Sequence, residues 1–314
     1  MKKTKFRRAL IVGPSGIGAV YFREFIKNGF NEIGFIGKSK SKNRSFNISS
    51  KKFENIKIVN LKDFKNIKKF RPQVTSICSP FYKHANHILK CKKYSKFIIV
   101  EKPFMWSQRK LKKGKNLQIS SKLLSKSTNK IVVNLPMVSL AKQLFYKKEI
   151  PEKINYFKFC YFTKGKQSYE NIAVDLLPHA LSFLLTILKK KLFDLKIITI
   201  KKQKLKWSCV IKLNNTLCNF QFKQDKFSKK SILNFSLNNN HYTRFQKVIN
   251  NEHMNYLIKN RRKKIDLKNP MNDYLCYLLG SFKNFNKVKI NNDLVLRITK
   301  IKEELLSFEK NLIL

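Results

Sequence analysis

Three short groups of residues carry side chains or backbone that could do chemistry. Glu101-Lys102-Pro103 closes a run of four apolar residues, Phe97 to Val100. A lysine delivered by a rigid strand can hold a substrate hydroxyl or carbonyl and stabilise a developing alkoxide. The alternative is a solvated Lys-Pro turn. Asp175 and His179 stand four residues apart, which on a helix brings both side chains to one face. A neutral imidazole in that position accepts a hydroxyl proton while the carboxylate orients it. The alternative is a capping aspartate beside a packed histidine. Gly13-Pro14-Ser15-Gly16-Ile17-Gly18 is a turn whose backbone N–H groups can receive a pyrophosphate, or an ordinary strand-to-helix turn without a ligand.

Each group needs an element to position it. Ala9 to Val12 is a short apolar strand before the glycine turn, and a helical pattern follows it to Ile26. Phe97 to Val100, three of them β-branched, reads as a strand buried on both faces of a parallel sheet, with its carboxyl end at Lys102. In open α/β sheets ligands sit at that end of the strands. Glu32 to Ile36, Ile56 to Val59, Val74 to Cys78 and Ile131 to Val133 complete the strand pattern, with helical stretches such as His84 to Lys92 between the later ones. Against G-x-G-x-x-G, Gly13 and Gly18 take the first and third places and Ser15 the second. After the second strand no acid stands ready for ribose hydroxyls. Lys38, Ser39 and Lys40 are there instead and suit a 2'-phosphate, which favours NADP over NAD.

The pattern then changes. Ile154 to Phe162, Leu195 to Ile200, Leu205 to Leu213, Thr216 to Phe222 and Ile232 to Leu237 read as strands of a mostly antiparallel sheet. One apolar helix, about Leu176 to Lys189, lies between the first two, and Tyr274 to Phe282 and Leu294 to Phe308 read as closing helices. Asp175 is expected to be the N-cap of the apolar helix, with Pro178 in its first turn and the helix dipole keeping His179 neutral. The expected domains are 1–128 and 129–314.

Composition bounds the rest. The chain has 314 residues and a formal charge of +50, with 68 Lys and Arg against 18 acids. The excess is mostly lysine, spread along the chain with abundant Asn, Ile and Phe, which fits codon bias; no zinc spacing, RNA-binding aromatic motif or segregated basic tail accompanies it. No nucleic-acid partner is expected. Glycine is scarce, with 9 in the chain where ordinary usage puts roughly twenty, so the cluster at Gly13, Gly16 and Gly18 is informative. Six scattered cysteines without a C-x-x-C pair fit a reduced, cytoplasmic chain. The N-terminal apolar run is broken after four residues by Gly13-Pro14, unlike a signal peptide. The most apolar segment, Leu176 to Leu188, is too short to span a membrane. His84 and His87 are three apart with no third ligand, so no metal is expected.

The chain resembles the glucose-fructose oxidoreductase, inositol dehydrogenase and rhizopine-catabolism family (Gfo/Idh/MocA). The resemblance rests on the Gly13 to Gly18 turn, Ser79-Pro80 with His84 leading to Glu101-Lys102-Pro103, and Asp175 followed by His179. It implies an N-terminal Rossmann domain and a C-terminal α+β domain whose open, mostly antiparallel sheet often forms a homo-oligomer interface. It also implies hydride transfer between NAD(P) and a carbinol carbon of a sugar, cyclitol or sugar nucleotide. By matching position, Lys102 would polarise the reacting oxygen, His179 would exchange its proton, and Asp175 would support the substrate or His179. Gly13, Ser15, Gly16, Ile17, Gly18, Ser79, His84 and Glu101 would line the cofactor, and Lys38 and Ser39 would meet its 2'-phosphate. Two departures bear on the substrate: Tyr169-Glu170-Asn171 replaces a glycine run, and Asn134-Leu135-Pro136 lacks an arginine common after that strand. A non-catalytic binding or regulatory member of the family, and a basic nucleic-acid-binding protein, are the alternatives.

Overall fold

The computed structural model describes residues 7–37, 55–106, 114–125, 130–165, 169–189, 192–228, 230–249 and 252–311. The chain divides into two compact units, one of Met1–Asn134 with Leu275–Leu296, the other of Leu135–Tyr274 with Arg297–Leu314.

In the first unit the elements run β1 (Arg8–Val12), α1 (Ile17–Lys27), β2 (Glu32–Ile36), β3 (Lys57–Asn60), α2 (Ile67–Phe70), β4 (Val74–Ile77), α3 (His84–Cys91), β5 (Phe97–Glu101), α4 (Lys115–Ser125) and β6 (Lys130–Asn134). The six strands form one parallel sheet in the order β3-β2-β1-β4-β5-β6. Every residue of β2, β4 and β5 is buried, as a sheet covered on both faces requires. Tyr21, Phe22 and Phe25 form the apolar stripe of α1, and Phe25 packs on Phe30 at 5.2 Å between ring centroids.

The second unit contains α5 (Pro136–Tyr146), β7 (Tyr156–Thr163), α6 (Tyr169–Leu188), β8 (Leu195–Gln203), β9 (Lys206–Leu213), β10 (Thr216–Gln224), β11 (Ile232–Leu237), β12 (Asn240–Ile249), β13 (Glu252–Lys259) and β14 (Lys263–Leu267). Its eight strands form a sheet in the order β14-β13-β12-β11-β7-β10-β9-β8, antiparallel except where β7 runs parallel to β10. Helix α6 covers one face. Phe183 stacks on Phe157 at 5.8 Å and meets Phe235 at 5.0 Å, and Trp207 stacks on Phe222 at 5.8 Å. Two last helices, α7 (Pro270–Gly280) and α8 (Phe285–Asn311), end the chain.

The fold is the expected α/β class, a parallel doubly wound sheet followed by a mostly antiparallel one. A single cut near Thr128 does not describe the units, because β6 pairs with β5 and residues 275–296 return to the first unit. Asn291 of α8 shows one cause. Its carboxamide accepts from Val133 N and donates to Val133 O, both at 2.9 Å, so a side chain satisfies backbone groups on the edge strand β6.

Helix α6 corrects the expectation for Asp175. The helix starts at Tyr169, so Asp175 lies within it rather than at its N-cap, and Pro178 is interior. An interior proline costs about 3 kcal/mol, but Ile172 and Val174 are buried upstream of it, and each contributes about 1.5–3 kcal/mol on burial. The extra turns are therefore favoured despite Pro178. His179 stands beyond the first turn, outside the reach of the helix N-terminal dipole. The longer helix also contains an 18-residue span, Asn171–Leu188, with mean hydropathy 1.6, long and apolar enough to cross a membrane; 78% of that span is buried in the fold, and it serves as the covering helix of the sheet.

Candidate active site

The strand order reverses between β1 and β4, since β1 has β2 on one side and β4 on the other. A crevice at the carboxyl ends of the strands forms at such a point. The glycine turn leads out of β1 there. Gly13 has φ +87°, and a Cβ on it would meet Ser79 N at 2.9 Å. A Cβ on Gly18 would lie 2.3 Å from Gly13 O, so the turn closes only with glycine at both places. Gly16, at φ +61°, faces open space. Gly13 N donates to Ile36 O at 2.9 Å, which ties the turn to the end of β2. Helix α1 begins at Ile17 with Gly16 as N-cap, no side-chain cap and no acid in its first turn. Gly18 N and Ala19 N donate back to Ser15 O and Gly16 O, while no side chain meets the positive end of the helix dipole, which suits an external anion.

Beyond β4, the Ser79 hydroxyl lies 2.8 Å from His87 Nδ1. Burial, then the charges of His84, Lys83 and Lys90, hold the His87 imidazole down at about 4, so it is neutral at pH 7. His84 is buried at the start of α3 and joins two loops. Its Nε2 is 2.7 Å from Ser79 O, and its Nδ1 is 3.1 Å from Pro103 O and 3.0 Å from Phe104 O. Burial lowers its pKa against the pull of these carbonyls. His84 thereby fixes the loop after β4 against the loop after β5.

Glu101 ends β5 and is 8% exposed. It accepts the Tyr21 hydroxyl at 2.7 Å and Asn134 Nδ2 at 2.8 Å. Burial pushes its carboxyl up, opposed by those two donors and by the adjacent Lys102 charge. Burial and Glu101 in turn hold the Tyr21 hydroxyl protonated. Glu101 is thus an anchor below the site, bound to α1 and β6, and half-buried Lys102 follows it out of the strand. The Lys102-Pro103 peptide is cis.

In the second unit, Asp175 Oδ2 accepts from Gln224 Nε2 at 2.7 Å, which joins α6 to the end of β10. His179 is 8% exposed, and the ring of Tyr161 meets its imidazole edge-on at 5.2 Å. Both expected side chains therefore face the covered side of the sheet. Lys38, Ser39 and Lys40 lie outside the described residues.

Residues 7–126 match the Gfo/Idh/MocA model, an oxidoreductase family with an NAD-binding Rossmann fold. This region is similar to the Gfo/Idh/MocA oxidoreductases. Solved structures extend the likeness of fold along the chain. A dehydrogenase (MviM) from Clostridium difficile superposes with a TM-score of 0.68 at 13% identity, over 96% of this chain and 99% of that one. The UDP-N-acetylglucosamine 3-dehydrogenase GnnA from Acidithiobacillus ferrooxidans gives 0.63 at 11% identity, over 96% and 100%. The WlbA (WbpB) dehydrogenase from Thermus thermophilus, in complex with NAD and UDP-GlcNAcA, gives 0.61 at 11% identity, over 95% of each chain. No curated protein sequence matches the chain.

The likeness to the Gfo/Idh/MocA model and the turn geometry agree. Gly13, Ser15, Gly16, Ile17 and Gly18 offer an uncapped helix start, and Ser79 stands beside Gly13 across the switch point, so a dinucleotide pyrophosphate fits here. Sequence reasoning missed the supports of this family site. Tyr21 reads as one more apolar position of α1, and Asn134 as the end of a strand. It also missed Tyr161, Gln224 and Arg244 in the second sheet. For Arg244 there is a signal: an arginine within His-Tyr-Thr-Arg-Phe, an alternating segment of a chain that uses mostly lysine for its charge.

Proposed function

We propose that this protein is an NADP-preferring oxidoreductase that transfers a hydride between nicotinamide and a hydroxyl or carbonyl carbon of a sugar, cyclitol or sugar-nucleotide substrate. The observation that carries the reading is the pairing, on one sheet, of an uncapped glycine turn at the switch point with Lys102 at the carboxyl end of β5. The sugar-nucleotide class is supported by GnnA and WlbA, dehydrogenases of like fold. NADP preference rests on Lys38, Ser39 and Lys40 standing where an acid would otherwise hold the ribose.

Bound at the turn, the dinucleotide would supply or accept the hydride. The chain's own part is positioning and proton transfer. The amides at the start of α1 hold the pyrophosphate, while His84 keeps the Ser79 and Phe104 loops in place. The Lys102 ammonium binds the reacting oxygen and stabilises alkoxide character in the transition state. In the oxidation direction the hydroxyl proton passes to a ring nitrogen of His179, and Asp175 supports this step through its place on the same helix face. Positioning and preorganised charge, each worth on the order of several kcal/mol, supply most of the rate.

We assign the reaction to a homo-oligomer in a reduced, cytoplasmic compartment. The uncovered face of the second sheet supports the first point, with half-exposed Leu217, Met254 and Phe245, the last stacked on Tyr256 at 5.2 Å. Six free cysteines support the second. Titration of the purified protein with NADPH and NADH, followed by nicotinamide fluorescence, tests the core of the reading. NADPH is expected to bind at least about tenfold tighter than NADH. Binding of neither overturns the oxidoreductase.

A further inference from the structure

One row of paired residues crosses the second sheet from β9 to β14: Trp207, Phe222, Tyr161, Leu233, Arg244, Leu257 and Ile265. Directly paired residues point to the same side of a sheet, and this side is the one on which Tyr161 meets His179. Apart from the Tyr161 hydroxyl, every member of the row except Arg244 is apolar.

Arg244 is poorly served by the protein. Its Nη2 donates to Asn255 Oδ1 at 2.7 Å, while its Nε is buried with no partner. Among the described residues no carboxylate pairs with it. A guanidinium carries five donors in a rigid fork, and in half-buried Arg244 a buried Nε without an acceptor is unfavourable. Burial accordingly lowers its pKa. Glutamine could meet the one bond to Asn255 without that cost. Gln224, in the next row on the same face, repeats the pattern, since its Nε2 holds Asp175 while its buried Oε1 has no partner.

We infer that Arg244 is a specificity-determining residue that holds an anionic group, carboxylate or phosphate, on the substrate. This rests on the reading of the second unit as substrate-binding. The planar fork suits paired anionic oxygens. Tyr161, which meets His179, and Arg244 are two strands apart, roughly 10 Å at the usual strand spacing, a distance that one sugar-sized molecule with a charged substituent spans. The unpartnered Gln224 Oε1 suits a hydroxyl donor of the same molecule.

The test is a calorimetric titration of the full chain at constant ionic strength with D-glucose, D-glucuronate and UDP. These probes separate a neutral sugar, the same sugar with a carboxylate, and a diphosphate. Wild type is expected to bind one anionic probe at least about tenfold tighter than glucose. A preference for glucuronate identifies a carboxylate, and one for UDP a phosphate. Arg244→Gln should lose at least about tenfold for that probe. Arg244→Lys, which keeps the charge without the fork, should lose less, and Lys206→Gln on the exposed surface should lose nothing. Equal binding by Arg244→Gln and wild type, or no anion preference in wild type, overturns the subsite. NADPH titration of each variant reports separately on folding and on the cofactor. Loss of anion binding with no nicotinamide binding by any form keeps the subsite and rejects the oxidoreductase.

Discussion

The Tyr21 hydroxyl donates to Glu101 Oε1 at 2.7 Å, joining the helix after the glycine turn to the last residue of the strand that presents Lys102. The carboxyl group is buried and also accepts from Asn134 at 2.8 Å and from the Lys102 backbone. Tyr21→Phe removes one donor from a buried anion and should destabilise the fold by about 1–3 kcal/mol. Urea unfolding measures this, and a change below about 0.5 kcal/mol would show that the bond does not hold the anchor.

Lys102→Ala removes the charge offered to the reacting oxygen while leaving the glycine turn intact. Turnover should fall by on the order of 10²–10³, and NADPH affinity should stay within about threefold. Steady-state kinetics and fluorescence titration separate the two effects. Unchanged turnover would reject Lys102 as the polarising group.

The glycines of the turn should differ in their tolerance. Gly18→Ala places a methyl 2.3 Å from Gly13 O, where no flexible side chain can yield, so folding or nucleotide binding should be lost. Gly16→Ala meets open space but must hold φ +61° with ψ −114°, a strained backbone region for a residue with a Cβ, at a cost of about 1–3 kcal/mol in stability. Thermal melts of both variants with and without NADPH check the order.

Acid should weaken the protein through His87. Its folded-state pKa, about 4, lies below the ordinary 6.5, so between these values the unfolded chain binds more protons. The stability contributed by the neutral ring is full above pH 6.5 and is lost as pH falls toward 4. For a half-exposed ring, screening reduces this to about 1 kcal/mol. Comparing wild type with His87→Gln by urea unfolding at pH 7.5 and 4.5 isolates it, because the variant should lose less stability on acidification. Parallel losses in both proteins would assign the effect elsewhere.

Local pattern determined much of this protein. Strand periodicity located all six strands of the first sheet and five of the eight in the second, and scarce glycine marked the turn at Gly13, Gly16 and Gly18. The spacing of Asp175 and His179 correctly placed both on one helix face, since i,i+4 geometry is a property of the helix alone. Strands β12 to β14 escaped notice because polar residues, Arg244, Gln246, Asn255 and Lys259, also stand on the face that carries Tyr242 and Leu257, so apolar and polar positions do not alternate cleanly.

What only tertiary structure decided was the partners of the polar side chains. No local rule extends α6 back past Pro178 to Tyr169; burial of Ile172 and Val174 against the core does. No spacing links Tyr21 to Glu101, Asn291 to Val133, or Gln224 to Asp175. The same is true of Arg244, which shares a face with Tyr161 only because β12 pairs with β11 and β11 with β7. Periodicity is written in neighbouring residues and is legible one element at a time. Hydrogen bonds and enclosed charges join residues distant in sequence, and the packing of elements alone brings them together.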